Sequence, residues 1–142
     1  MKKIVSIIII LCLLVSFVYA EEDVFLSDYN LYAESMYGID PIELTESSFA
    51  SQSYQSDSVK IFKKIDEILI TGDDALEVIA AACCVFRCVD NGSSMLDQYG
   101  RIMHAYFLAR SRKEDKEFRA TTESGHLVFV QLYDNSISIR IV

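Results

Sequence analysis

Cys83, Cys84 and Cys88 crowd into one short stretch of this 142-residue chain, and His104 follows on the next one. A thiolate beside an imidazole can act as a nucleophile, and thiols with further ligands can hold zinc. Neither chemistry finds its usual spacing here. The fourth cysteine, Cys12, falls in an apolar run that reads as a signal peptide. Its removal leaves three, an odd number, so a fully paired intramolecular framework is excluded. Adjacent cysteines on a helix point about 100° apart, and the one-turn pair Cys84/Cys88 would need strained bond geometry. The three read as buried free thiols that behave as small hydrophobes, with one intermolecular disulfide as the alternative. If the following helix runs back antiparallel, His104 falls within about a turn of Cys83, which makes a thiol/His cluster conceivable. No catalytic residue, metal or cofactor is assigned on that basis.

Other reactive residue types have plainer explanations. Asp66 and Glu67 read as a solvated helix face, and Asp73 and Asp74 as a helix start. His126 opens a strand beside a turn, where exposure is expected. The chain carries no nucleophile elbow, phosphate loop, dinucleotide fingerprint or calcium loop. Asn91, Gly92 and Ser93 match a glycosylation acceptor in a turn.

The thiols lie within residues 71–91, a stretch whose only charged side chains between Ala75 and Val89 are Glu77 and Arg87. A helix apolar almost all the way round must be covered on most sides. Thr71 and Asp73 are N-cap types, and Asn91-Gly92 suits a left-handed exit. The stretch is too short to span a membrane.

Ahead of it, Lys2, Lys3 and the apolar run 4–18, followed by Val18, Tyr19 and Ala20, read as a secretory signal peptide over residues 1–20. An uncleaved anchor is the alternative. Removing Lys2 and Lys3 takes the formal charge from −8 to −8 − 2 = −10. Residues 21–58 hold nine carboxylates and no Lys or Arg. An acidic chain with scattered bases suits neither nucleic acid nor an anionic membrane surface. Tyr29, Tyr32, Ala33, Met36 and Tyr37 form a helical stripe over 27–37 that stops at Gly38. Residues 45–58 read as a serine-rich flexible connector. Residues 58–70 read as a second amphipathic helix, with Val59, Phe62, Ile65 and Leu69 along one side.

After the thiol-bearing helix, Ser94 and Asp97 at capping spacing start a further helix to about Arg112. The last 26 residues alternate. A two-residue turn at Asp134-Asn135 sets Val128, Val130 and Leu132 against Ile141, Ile139 and Ile137. A three-residue turn ending at Gly125 adds Phe118 and Ala120 to the same apolar side. The competing register would bury Arg119 there and costs far more. The opposite side then carries Arg119 and Arg140 flanking Phe129, with Tyr133 nearby, as a candidate binding patch.

The expected fold is α+β: about three helices packed on one face of a C-terminal three-stranded antiparallel meander, after a cleaved signal peptide. Residues 21–57 are expected as an acidic arm and 58–142 as the compact domain. The expected function is that of a small secreted, non-catalytic binding domain for a protein or small ligand, with no nucleic acid and no membrane anchor after cleavage. Two alternatives stand beside it: a ligand-binding or enzymatic pocket between the 73–90 helix and the sheet, and a redox-responsive thiol protein.

Overall fold

Ile and Val at alternate positions build strands with one buried side, and this chain uses them to extend one sheet well beyond its C-terminal third. The computed structural model describes residues 23–90, 92–112 and 117–142. The expected signal peptide and the acceptor Asn91 lie outside the described residues. In chain order the elements are α1 (Val24–Tyr32), running into a π-helical turn (Ala33–Tyr37), then β1 (Glu43–Ser47), β2 (Ser51–Gln55), β3 (Val59–Lys64) and β4 (Ile68–Gly72). There follow α2 (Ala75–Val89), α3 (Met95–Arg112), β5 (Phe118–Thr121), β6 (Leu127–Tyr133) and β7 (Ser136–Ile141).

The seven strands form one antiparallel sheet in the order β1-β2-β3-β4-β7-β6-β5. This corrects the expected topology of a three-stranded meander. The expected second helix, residues 58–70, is the β3–β4 hairpin, and the expected connector, 45–58, contains most of the β1–β2 hairpin. The reason is physical. Val59 and Ile61, with Ile68 and Ile70, also satisfy a strand period, and β-branched side chains prefer it. Paired with Ile139 of β7, Ile70 is fully buried, whereas Ile65 of the supposed helical stripe is 86% exposed. Within the larger sheet, the β5–β6–β7 register is the one the two turns require, with Val130 opposite Ile139 and Phe118 opposite Val130. Gly125 takes φ 94°, the left-handed value its turn needs.

One row of partners carries the core across six strands: Tyr54, Ile61, Ile70, Ile139, Val130 and Phe118. Over this face lie the helices. The α2 helix packs on β3, β4 and β7, and α3 packs on β5 and β6. Every residue of α2 from Ala81 to Phe86 is buried. Gly72 shows how closely β4 passes beneath it: a Cβ there would collide with Ser58 O and Val78 Cγ2. The helix is capped by Asp74, whose Oδ1 accepts from Leu76 N at 2.8 Å and Glu77 N at 3.1 Å.

The described part of 23–57 enters the same core. Asp23 caps α1 through Leu26 N and also accepts from the Tyr54 hydroxyl at 2.7 Å. The Phe25 ring lies 5.2 Å from the Tyr54 ring at a tilt of 45°, and Tyr29 and Ala33 are buried against α2. The Asn30 side chain holds both backbone groups of Ile42, at 2.8 and 3.0 Å.

A buried carboxylate joins the far ends of the helices to the β5–β6 turn. Asp90, 2% exposed, accepts from Gly92 N, Ser93 N and Ser124 Oγ. Burial works to raise its pKa, but the bonds from Ser124, Ser93 and the Gly92 backbone outweigh burial and hold it below the ordinary carboxylate value.

Candidate functional site

With the three described helices on one face, no helix among the described residues lies over the other face of the sheet. Consecutive Cα partners there are Ser53, Phe62, Leu69, Arg140, Phe129 and Arg119, one from each strand of β2, β3, β4, β7, β6 and β5. Phe62 is 41% exposed, and Leu69 and Phe129 are half-buried. Leu127 and Val142 exchange backbone hydrogen bonds at 2.9 and 3.0 Å and extend the apolar band beside Phe129.

Arg140 sits at the centre of this row. Its guanidinium carbon lies 4.3 Å from the Phe129 ring centroid, close enough for a cation–π contact. Its Nη2 donates to Glu117 Oε1 at 2.7 Å, and its Nη1 lies 3.6 Å from Glu67 Oε2. Glu67 also pairs with Lys64 at 3.0 Å, and that bond is the main reason its carboxyl falls below the usual range. Arg119, on the other side of Phe129, is exposed and has no ion pair among the described residues.

Charge is sorted between the sheet's two ends. Strands β3 to β7 contain no Asp or Glu, and their helix-free face presents Lys60, Lys64, Arg140 and Arg119. Glu67 and Glu117 approach from the flanks and are engaged by Arg140, and β1 adds Glu46 beside Ser53 and Glu43 beside Gln55. At the β1 edge the sign reverses: Asp40, Glu43 and Asp57 line an open hollow of about 490 Å³. A basic and aromatic face on a chain of net charge −8 is therefore a local feature that composition hides.

Of the residues singled out in the sequence, the structure brings Arg119, Phe129 and Arg140 side by side. Tyr133 points to the same face but stands four positions along β6 from Phe129, roughly 13 Å by strand rise. It borders a separate hollow with Asp73 and Asp134. Phe62, Leu69, Lys60 and Lys64 complete the face and were hidden by the helical reading of 58–70. The signal that finds them is the alternation of Val59 and Ile61 with Lys60 and Phe62.

The thiols lie elsewhere, on the side of α2 that meets α1. Cys83 and Cys84 are buried and Cys88 half-buried, and all three are free. Burial pushes Cys83 up to about 11, against a small opposing effect of the Tyr37 hydroxyl. Burial with the Asp28 charge pushes Cys88 up to about 12, and burial raises Cys84 further still. The groups acting on the thiols are Tyr37 and Asp28 with Arg87, whereas His104 is an exposed residue of α3 in a shallow hollow with Asp97, Arg101 and Glu123. His126 lies 6.3 Å edge-on from Phe86. Among the described residues no three His, Cys, Asp or Glu side chains are grouped to hold a metal ion. Ala75, in the first turn of α2, lines the open hollow beside Asp73 and Asp134.

No family model, curated protein or solved structure matches the chain.

Proposed function

We propose that this chain is a secreted, non-catalytic binding module whose helix-free sheet face receives an extended acidic segment of a partner protein. The observation that supports the reading is Arg119 and Arg140 on either side of Phe129, in five strands that contain no carboxylate. Arg140 is already engaged by Glu117 and Glu67, so it shapes the surface and shields the ring. Arg119 has no ion pair among the described residues and offers its planar fork to a partner carboxylate. Phe62, Leu69 and Phe129 supply an apolar strip for the partner's own hydrophobic side chains. Secretion rests on the composition of residues 1–20.

The test uses a random copolymer of glutamate and tyrosine as probe, followed by NMR chemical-shift mapping. Shifts are expected at Phe62, Leu69, Arg119 and Phe129. Affinity should fall with salt, because exposed charge pairs are screened within about 10 Å at 0.1 M. Phe129→Ala and Arg119→Glu should each abolish the shifts. Binding that maps to another face, or that survives both substitutions, overturns the proposal.

A further inference from the structure

We infer that the hairpin tips at one end of the sheet, carrying Phe49 and Ile65, dock this protein reversibly on the surface of a zwitterionic lipid bilayer. Four hairpins close through two-residue turns, at Phe49-Ala50, Asp57-Ser58, Ile65-Asp66 and Asp134-Asn135. Such turns favour Gly, Asn and Asp, whose backbones and side chains suit the tight bend. The turns at one end of the sheet follow that rule, beginning with Asp57 and Asp134. The two at the other end begin with Phe and Ile. Local chemistry is broken twice, at neighbouring positions, in favour of a large apolar side chain.

Those side chains are also the two most exposed large hydrophobics among the described residues, Phe49 at 103% and Ile65 at 86%. Strands β2 and β3 are neighbours, so the two tips stand together and line one open hollow with Ser48, Ser51, Gln52 and Lys63. Apolar tips above a collar of hydroxyl, amide and ammonium groups match the change from acyl chain to headgroup at a bilayer surface.

The occupant follows from size and charge. Two side chains on convex tips fall far short of the roughly 800 Å² per partner that a stable protein interface needs, which argues against a second copy. Around the tips Lys63 and Lys64 are balanced by Asp66 and Glu67, with Lys64 and Glu67 only 3.0 Å apart. With Glu46 beside Ser53 as well, the end has no positive excess, so insertion of the tips, not attraction to anionic lipid, supplies the attachment. No helix among the described residues is long and apolar enough to cross a membrane, and tip docking requires none.

The described sheet, helices and core lie within 23–142, so the test uses the chain from Glu21. Sedimentation with phosphatidylcholine vesicles should carry the protein down, with little change between low and high salt. Phe49→Ser and Ile65→Ser should each lower the partition coefficient about ten-fold or more, while Phe129→Ala, on the proposed peptide-binding face, leaves it unchanged. The chain contains no Trp, so Phe49→Trp and Ile65→Trp each give a single local reporter. Both should shift to the blue on adding vesicles and be quenched by brominated acyl chains, a readout that holds if a serine variant folds poorly. Absence of sedimentation, sedimentation indifferent to both serine variants, or reporters unmoved by vesicles overturns the inference. So does a vesicle-independent dimer that the serine variants dissolve.

Discussion

The guanidinium carbon of Arg140 lies over Phe129, 4.3 Å from the ring centroid, and covers the ring on the helix-free face. The same guanidinium bridges Glu117 and Glu67, drawing the flanks of the sheet onto its centre. Arg140→Ala should therefore bare the ring and release two carboxylates. Because these pairs are partly exposed, the stability loss should stay within about 1 kcal/mol. Arg140→Lys should keep part of the ion pairing and lose the guanidinium contact with the ring. Urea unfolding of the two variants, compared with Phe129→Ala, separates cover from core: a loss of several kcal/mol for Phe129→Ala would make the ring structural.

Burial governs the thiols. In the native chain from Glu21, Cys83, Cys84 and Cys88 should resist a small alkylating reagent, and all three should react once urea unfolds the protein. Their raised native pKa values carry a pH consequence. Above the ordinary thiol value the unfolded chain gives up protons that the native chain retains, so native stability should decline as pH rises from about 8 toward the native values near 11 and 12. Urea midpoints measured from pH 7 to 10 check the sign. A midpoint that rises over that range contradicts the burial described.

Asp90 gives the opposite limb. Its carboxylate is held below the ordinary range, so its contribution is present above the unfolded value near 3.9 and is lost as pH falls through the native value. In Asp90→Asn the amide nitrogen facing Ser124 can no longer accept its hydroxyl. Losing the hydrogen bonds to a charged acceptor should cost roughly 1.5–3 kcal/mol at neutral pH. The variant should also lose less stability than the parent between pH 5 and 3. Chemical denaturation across that range reads both effects.

Tyr29 is fully buried between α1 and α2, and its hydroxyl has no hydrogen-bond partner among the described residues. Burial pushes its phenol well above the ordinary value. Removing an unsatisfied buried hydroxyl relieves a desolvation cost. Tyr29→Phe should leave stability unchanged or raise it by up to about 1 kcal/mol, seen as an unchanged or higher urea midpoint. A clear loss would reveal a bonding partner for the hydroxyl.

Parts of the structure can be read from single residues. The C-terminal register was legible because Ile137, Ile139 and Ile141 alternate and two turn signals fix which neighbours they meet. Arg119, Phe129 and Arg140 could be placed together from that register alone. Residues 58–70 were not legible, since Val59, Phe62, Ile65 and Leu69 fit a helix while Val59, Ile61, Ile68 and Ile70 fit strands. The β1–β2 hairpin carries a single buried side chain, Tyr54, and is held largely by backbone bonds that leave no mark on residue type.

By itself, the sequence determined a buried Ala- and Cys-rich helix, a second helix behind it and a terminal ribbon with a defined apolar side, because periodicity and turn chemistry act over a few residues. Tertiary structure decided the rest. Pairing of β4 with β7, some 70 residues apart in the chain, turned an ambiguous amphipathic stretch into the middle of a seven-stranded sheet. That non-local ladder assembled a basic, aromatic surface from five strands, which no local pattern contains, while the β2–β3 pairing brought the two apolar tips together.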